Sequence, residues 1–414
     1  MKNLKEKFNK VRQQTEKLVS TLSPEDFVVQ PVVDVSPPKW HLAHTTWFFE
    51  QFILCKFDKN YQEYDKDFNF LFNSYYESVG KRVLRANRGN LTRPGVKEVL
   101  KYRAFVNEKI DHFLENQHLT TEMADLMELG LQHEQQHQEL LITDIKYILG
   151  NNPLFPTFWE SNVKRHTHAS LKEDYTEIEG GIYKIGYEGD GFHFDNEEGV
   201  HQVFLQPYRF MNRLITNGEY LEFIEAGGYK RFEYWLMEGW EWVKAEKISA
   251  PFYWHQVDNQ WYYYTLNGFE KIDLYEPVTH ISFFEADAYA SWRGKRLMTE
   301  FEWEVAGKKA EPVINGHCNF VDSESFRPKF NDNQTPQMFG DTWEWTSSAY
   351  LPYPYFKKAA GAIGEYNGKF MVNQKVLRGG SCATPADHIR HTYRNFFHPH
   401  LRWQFTGVRL AEHI

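Results

Sequence analysis

Cysteine is scarce: Cys55, Cys318 and Cys382 are three scattered residues, odd in number. That excludes a disulfide framework and fits a reducing cytoplasm. No run of about 18 apolar residues occurs, so no transmembrane helix is expected. Met1 to Lys10 is charged and lacks the apolar centre of a signal peptide. Positive charge is also in deficit: Lys and Arg number 47 against 56 Asp and Glu, a formal charge of −9. With no long basic run, neither nucleic acid nor an anionic membrane is an expected partner. Glycine and tryptophan are sparse in one part of the chain only. Residues 1–175 hold 5 of the 26 Gly and 3 of the 13 Trp.

That asymmetry divides the 414 residues into an N-terminal domain (1–155), a linker (156–176) and a C-terminal domain (177–414). Gly150, Pro153 and Pro156, followed by the polar stretch Ser161 to Lys172, mark the border. Apolar spacing predicts N-terminal helices over about 4–22, 39–57, 96–116 and 120–149. The last opens at Thr120-Thr121-Glu122 and ends at Gly150, read as a C′ glycine. Four long helices suggest an antiparallel bundle, and the long connection of about 58–95 points to a functional loop. The C-terminal part reads as mixed α+β with much irregular chain and short helices near 216–226 and 283–293. The fold class is therefore α+β in two domains.

Chemistry concentrates in His133-Glu134-Gln135-Gln136-His137. Two histidines four apart on a helix share one face, with Cβ atoms about 5–6 Å apart, a bite suited to one metal ion. A third donor is available from His41 or His44 on the second helix, and bundle interiors host metals held by facing helices. The same letters match H-E-x-x-H, in which Glu134 would be the general base of a zinc hydrolase. Gly150, Pro153 and Pro156 interrupt the region where a further ligand commonly lies. Three neutral imidazoles leave open positions and the full charge of the ion, which suits thiolate, and O₂ if the ion is iron. Imidazole alone does not decide between zinc and iron.

His41-Leu42-Ala43-His44 with His133 to His137 resembles the metal-binding bundle of DinB-like proteins. Gly340-Asp341-Thr342-Trp343-Glu344-Trp345, then Arg378-Gly379-Gly380-Ser381 and Phe405 to Ala411, resembles a formylglycine-generating-enzyme (C-type-lectin-like) domain. Leu214 to Tyr220 and Gly227-Gly228-Tyr229 fit it too. In this order the two domains are similar to the ergothioneine and ovothiol sulfoxide synthases. The resemblance implies Fe(II) held by His44, His133 and His137, with His41 structural. It implies an oxygenase that joins a cysteine-type thiol to the imidazole carbon of hercynine with O₂, leaving a sulfoxide.

Tyr75 and Tyr76 resemble the tyrosine pair of the cysteine-using branch, one of them serving iron-bound oxygen with a proton or electron. The resemblance puts Arg85 and Arg88 at the carboxylate of the thiol substrate, where a forked guanidinium fits. Gln136 is assigned to the betaine's imidazole, and Asn395 and Phe396 to its trimethylammonium, which aromatic faces attract. An apolar Phe397 favours free cysteine over γ-glutamylcysteine. Cys382 alone in 381–394 excludes the cysteine-pair chemistry of true formylglycine-generating enzymes. With no room for a methyltransferase, hercynine is expected from another protein. Related readings are a selenium nucleophile, histidine in place of hercynine, and a non-catalytic metal- or ligand-binding protein. Oligomeric state is open.

Overall fold

The computed structural model describes residues 2–74, 76, 80–116, 118–160, 171–310, 318–330, 336–358 and 367–414. It divides into two compact units, Met1–Trp159 and Glu160–Ala359 with Asn367–Ile414.

The first unit is helical. α1 (Lys2–Leu18) and α2 (Pro38–Phe49) are followed by a π turn (Glu50–Leu54) and α3 (Cys55–Phe57). Then come α4 (Phe68–Phe72), α5 (Val96–Asn116) and α6 (Thr121–Gly150). In α5 the buried residues Val99, Tyr102, Arg103, Val106, Ile110 and Phe113 recur at helical spacing, so one stripe faces the core. α2 differs, since every one of its residues is buried. It is the central helix, packed against α5 and α6. Pro38 suits its first turn, where a missing N–H costs nothing. Its polar residues are therefore interior groups that need partners.

Thr120 Oγ1 accepts from Met123 N and starts α6. Gly150 is not the C′ residue expected from the sequence. It is the last helical residue, and the cap falls on Asn151 at φ −90°. No left-handed residue ends this helix, so glycine's freedom is not used there. Glu50, in the π turn, accepts from Tyr61 Oη (2.7 Å), Tyr64 N (3.0 Å) and Tyr102 Oη (2.5 Å). Those bonds tie part of the connection over 58–95 to the bundle.

The second unit is mixed. Its strands are β1 (Tyr175–Ile178), β2 (Gly181–Ile185), β3 (His201–Leu205), β4 (Tyr208–Met211), β5 (Trp254–Val257) and β6 (Gln260–Thr265). The rest are β7 (Gly268–Lys271), β8 (Trp343–Ala349), β9 (Lys375–Arg378), β10 (Asn395–Phe397), β11 (Thr406–Gly407) and β12 (Ala411–His413). They form the sheets β1-β4-β12, β10-β9-β8-β11, β2-β3 and β5-β6-β7. Its helices are α7 (Asn217–Glu225), α8 (Met237–Glu246), α9 (Phe283–Trp292) and α10 (Glu300–Ala310).

The Gly340 to Trp345 motif explains itself here. Trp343 and Trp345 are buried on β8, and Glu344 accepts from Trp303 Nε1 (2.8 Å) and Arg409 Nε (2.8 Å). Gly340 has φ +79°, and a Cβ there would lie 2.6 Å from the Asn319 carbonyl oxygen. Among the described residues, no helix is long and apolar enough to cross a membrane.

Candidate metal centre

α2 and α6 bring His44, His133 and His137 together. Among the described residues these three form a group whose donor atoms all lie within 4.8 Å of one another. Their ring centroids are 5.0 Å (44–133), 4.8 Å (44–137) and 4.7 Å (133–137) apart. His44 and His133 are buried, and His137 is half-buried.

The free nitrogen of His44 is fixed by its partner. Phe72 ends α4, so its carbonyl lacks an intrahelical donor. His44 Nδ1 donates to that oxygen at 2.6 Å, which leaves Nε2 with the lone pair. His44 Nε2 and His133 Nε2 face each other at 3.2 Å. Two nitrogens bound side by side on one ion, each about 2.1 Å away, would be about 3 Å apart. The donor set therefore fits a single ion.

The protonation state fits as well. Burial, then the nearby His133, pushes His44 well below the ordinary histidine value. Burial, then His133 and His44, does the same to His137, and burial brings His133 down to about 4. All three rings are neutral near pH 7 and present lone pairs.

Aromatic planes frame the trio. Trp40 stacks on His44 at 4.5 Å with a 12° tilt, and Trp47 on His44 at 5.5 Å with an 18° tilt. The Arg88 guanidinium sits 3.3 Å from the Trp40 ring centre and donates to Ser36 Oγ at 2.8 Å. Its charge helps keep His44 and His137 unprotonated. Arg85 instead bonds the Asp34 carbonyl and lies 3.6 Å from the Asp34 carboxylate. Tyr76 is buried against Trp47 (5.6 Å) and Phe52 (5.3 Å). Tyr75 lies outside the described residues. Gln136 is half-buried beside His137 on α6.

Asn395, Phe396 and Phe397 belong to the second unit, half-buried on β10 in antiparallel register with β9. Phe396 stacks on Tyr350 at 4.1 Å and is 5.7 Å from Phe370.

Glu134 takes no part in the trio. Its carboxylate accepts from Arg12 Nη1 (2.8 Å), Thr15 Oγ1 (2.6 Å) and Arg103 Nη2 (2.6 Å). Burial alone would raise its pKa, but Arg103 and Arg12 hold it at about 2. A general base needs an oxygen free for the attacking water, so the zinc-hydrolase reading of H-E-x-x-H fails here.

Sequence reasoning passed over Asp144 and assigned His41 only a structural part. His41 Nε2 lies 3.0 Å from Asp144 Oδ2, and His41 Nδ1 lies 2.9 Å from His137 Nδ1. The signal was spacing: Asp144 follows His137 by seven residues on α6, two turns along the same face.

Comparison with known proteins agrees with this arrangement. Residues 7–141 match the DinB superfamily, and residues 161–414 match the sulfatase-modifying factor enzyme 1-like domain. The hercynine oxygenase of Mycolicibacterium smegmatis is 32% identical over 68% of this chain and 70% of its own length. That of Mycobacterium tuberculosis is 35% identical over 52% of this chain and 55% of its own length. Ergothioneine biosynthesis protein 1 of Schizosaccharomyces pombe is 29% identical over 53% of this chain and 28% of its own length. The chain thus spans little more than half of the tuberculosis relative. With a DinB-type unit carrying the histidine trio and a sulfatase-modifying-factor-type unit after it, the chain belongs to the hercynine oxygenase family.

Proposed function

We propose that the chain is an Fe(II)-dependent sulfoxide synthase of ergothioneine biosynthesis. It joins the sulfur of cysteine to the imidazole carbon of hercynine with O₂, giving hercynylcysteine sulfoxide. The C–H and S–H bonds are lost and a C–S bond forms. One oxygen atom enters the sulfoxide and the other leaves as water, which balances the reaction. The convergence of His44, His133 and His137, all neutral, carries the reading. Membership of the hercynine oxygenase family supports the substrates. Ferrous iron held there supplies a redox centre for thiolate and O₂.

The chain's own residues supply position and charge. Trp40 and Trp47 stack on His44 and hold its ring plane. Arg88, buried beside Trp40, and Arg85 are assigned to the substrate carboxylate, which a forked guanidinium fits. Tyr76, or Tyr75, delivers a proton or electron during oxygen reduction. The resemblance assigns Gln136 of the first unit, and Asn395, Phe396 and Phe397 of the second, to the betaine, the last favouring free cysteine as thiol. The reaction takes place in the cytoplasm.

Incubation of the Fe(II)-loaded protein with hercynine, cysteine and O₂, followed by mass spectrometry, is expected to show hercynylcysteine sulfoxide. Parallel reactions with histidine or γ-glutamylcysteine are expected to give less adduct. Absence of any sulfur–imidazole adduct would reject the proposal.

A further inference from the structure

We infer that Asp144 and His41 form a positioning relay that sets which nitrogen His137 offers to a metal. The inference rests on the proposed metal site. Asp144 Oδ2 accepts the Ser36 backbone N–H at 2.8 Å and also faces His41 Nε2 at 3.0 Å. An ionised carboxylate can only accept, so His41 Nε2 is the donor. In a neutral His41 the other nitrogen, Nδ1, then carries a lone pair. His137 Nδ1, 2.9 Å away, must donate to it, which leaves the lone pair of His137 on Nε2. Each step follows from the one before, and the carboxylate starts the sequence.

The relay is well shielded: His41 and Asp144 are 2% and 3% exposed, so water does not compete for these bonds. Both elements that carry it are helices of the bundle, with His41 one turn before His44 on α2 and Asp144 two turns after His137 on α6. A single carboxylate thus fixes both the tautomer and the ring orientation of one donor. Partners of this kind commonly change metal affinity by about 10–100-fold when removed. Without Asp144, His41 can hold its proton on Nδ1. His137 then keeps its own on Nε2, where it blocks a metal.

The test is a Co(II) titration of the full chain against a chromophoric chelator, with the melting temperature of the metal-free protein measured alongside. His41→Phe and Asp144→Leu are expected to weaken Co(II) binding by about 10–100-fold and to shift its visible absorption bands. Asp144→Asn keeps an oxygen able to accept both N–H groups, and is expected to lose less than about 10-fold. Unchanged Co(II) affinity in folded His41→Phe would overturn the relay. So would an Asp144→Asn loss as large as that of Asp144→Leu. Failure of the unsubstituted protein to bind Co(II) would instead overturn the metal site itself, and the relay with it.

Discussion

At the scale of single residues, burial decides the roles of the histidine motif. His133 and Glu134 are neighbours, yet they face opposite chemistry. One presents a neutral ring to the trio, and the other is pinned between Arg12 and Arg103 in the bundle interior. The letters H-E-x-x-H cannot distinguish these cases, because the pairing arginines lie 122 and 31 residues away in sequence. Removing one partner of a buried ion pair strands the other charges. Glu134→Gln is therefore expected to destabilise the protein by about 3–5 kcal/mol, read from a denaturant midpoint. Unchanged stability would show that the carboxylate has been misplaced. The trio itself was legible: i, i+4 spacing on a helix put His133 and His137 on one face. The choice of His44 over His41 came from the resemblance and not from spacing, since both lie on a helix buried all round. Only the Phe72 carbonyl and the Asp144 carboxylate, both remote in sequence, separate their roles.

At the scale of elements, the long helices were readable wherever apolar residues recur at helical spacing, as in α5 and α6. α10 was not. Its Glu300, Glu302 and Glu304 are buried, so a sequence reader takes them for a solvated face. They pair with Arg394, Arg296 and Arg378, which come from elsewhere in the unit. The π turn after α2 was equally hidden, because its residues read as a continuation of one helix. The α2–α6 contact depends on Gly130. A Cβ there would lie 2.7 Å from Phe49 Cε1 and 3.0 Å from Phe48 Cε1. Helix propensity alone predicts that Gly130→Ala stabilises by up to about 1 kcal/mol. Overpacking outweighs it, and a net loss of about 1–3 kcal/mol is expected in thermal melts. A net gain would mean that the two helices can part without penalty.

At the scale of the whole molecule, uneven glycine and tryptophan content already separated a helical part from a mixed one. The architecture of the mixed part was legible through the motifs that resemble a formylglycine-generating-enzyme domain, which the match over residues 161–414 bears out, but not from strand patterning. Its short strands pair across long sequence separations, β4 with β12 and β8 with β11, and its core mixes tryptophan with ion pairs. Period-2 patterning is lost in strands of two to seven residues. Function was legible chiefly through motifs whose order along the chain carried the resemblance. The claim beneath the proposed chemistry is that three imidazoles from two helices share one ferrous ion. It is tested most directly by elemental analysis of anaerobically purified protein beside its His137→Ala variant. The account predicts near-stoichiometric iron in the unsubstituted protein and a loss of at least about tenfold in occupancy in the variant. Full iron content in folded His137→Ala, or none in the unsubstituted protein after exposure to Fe(II), would contradict it.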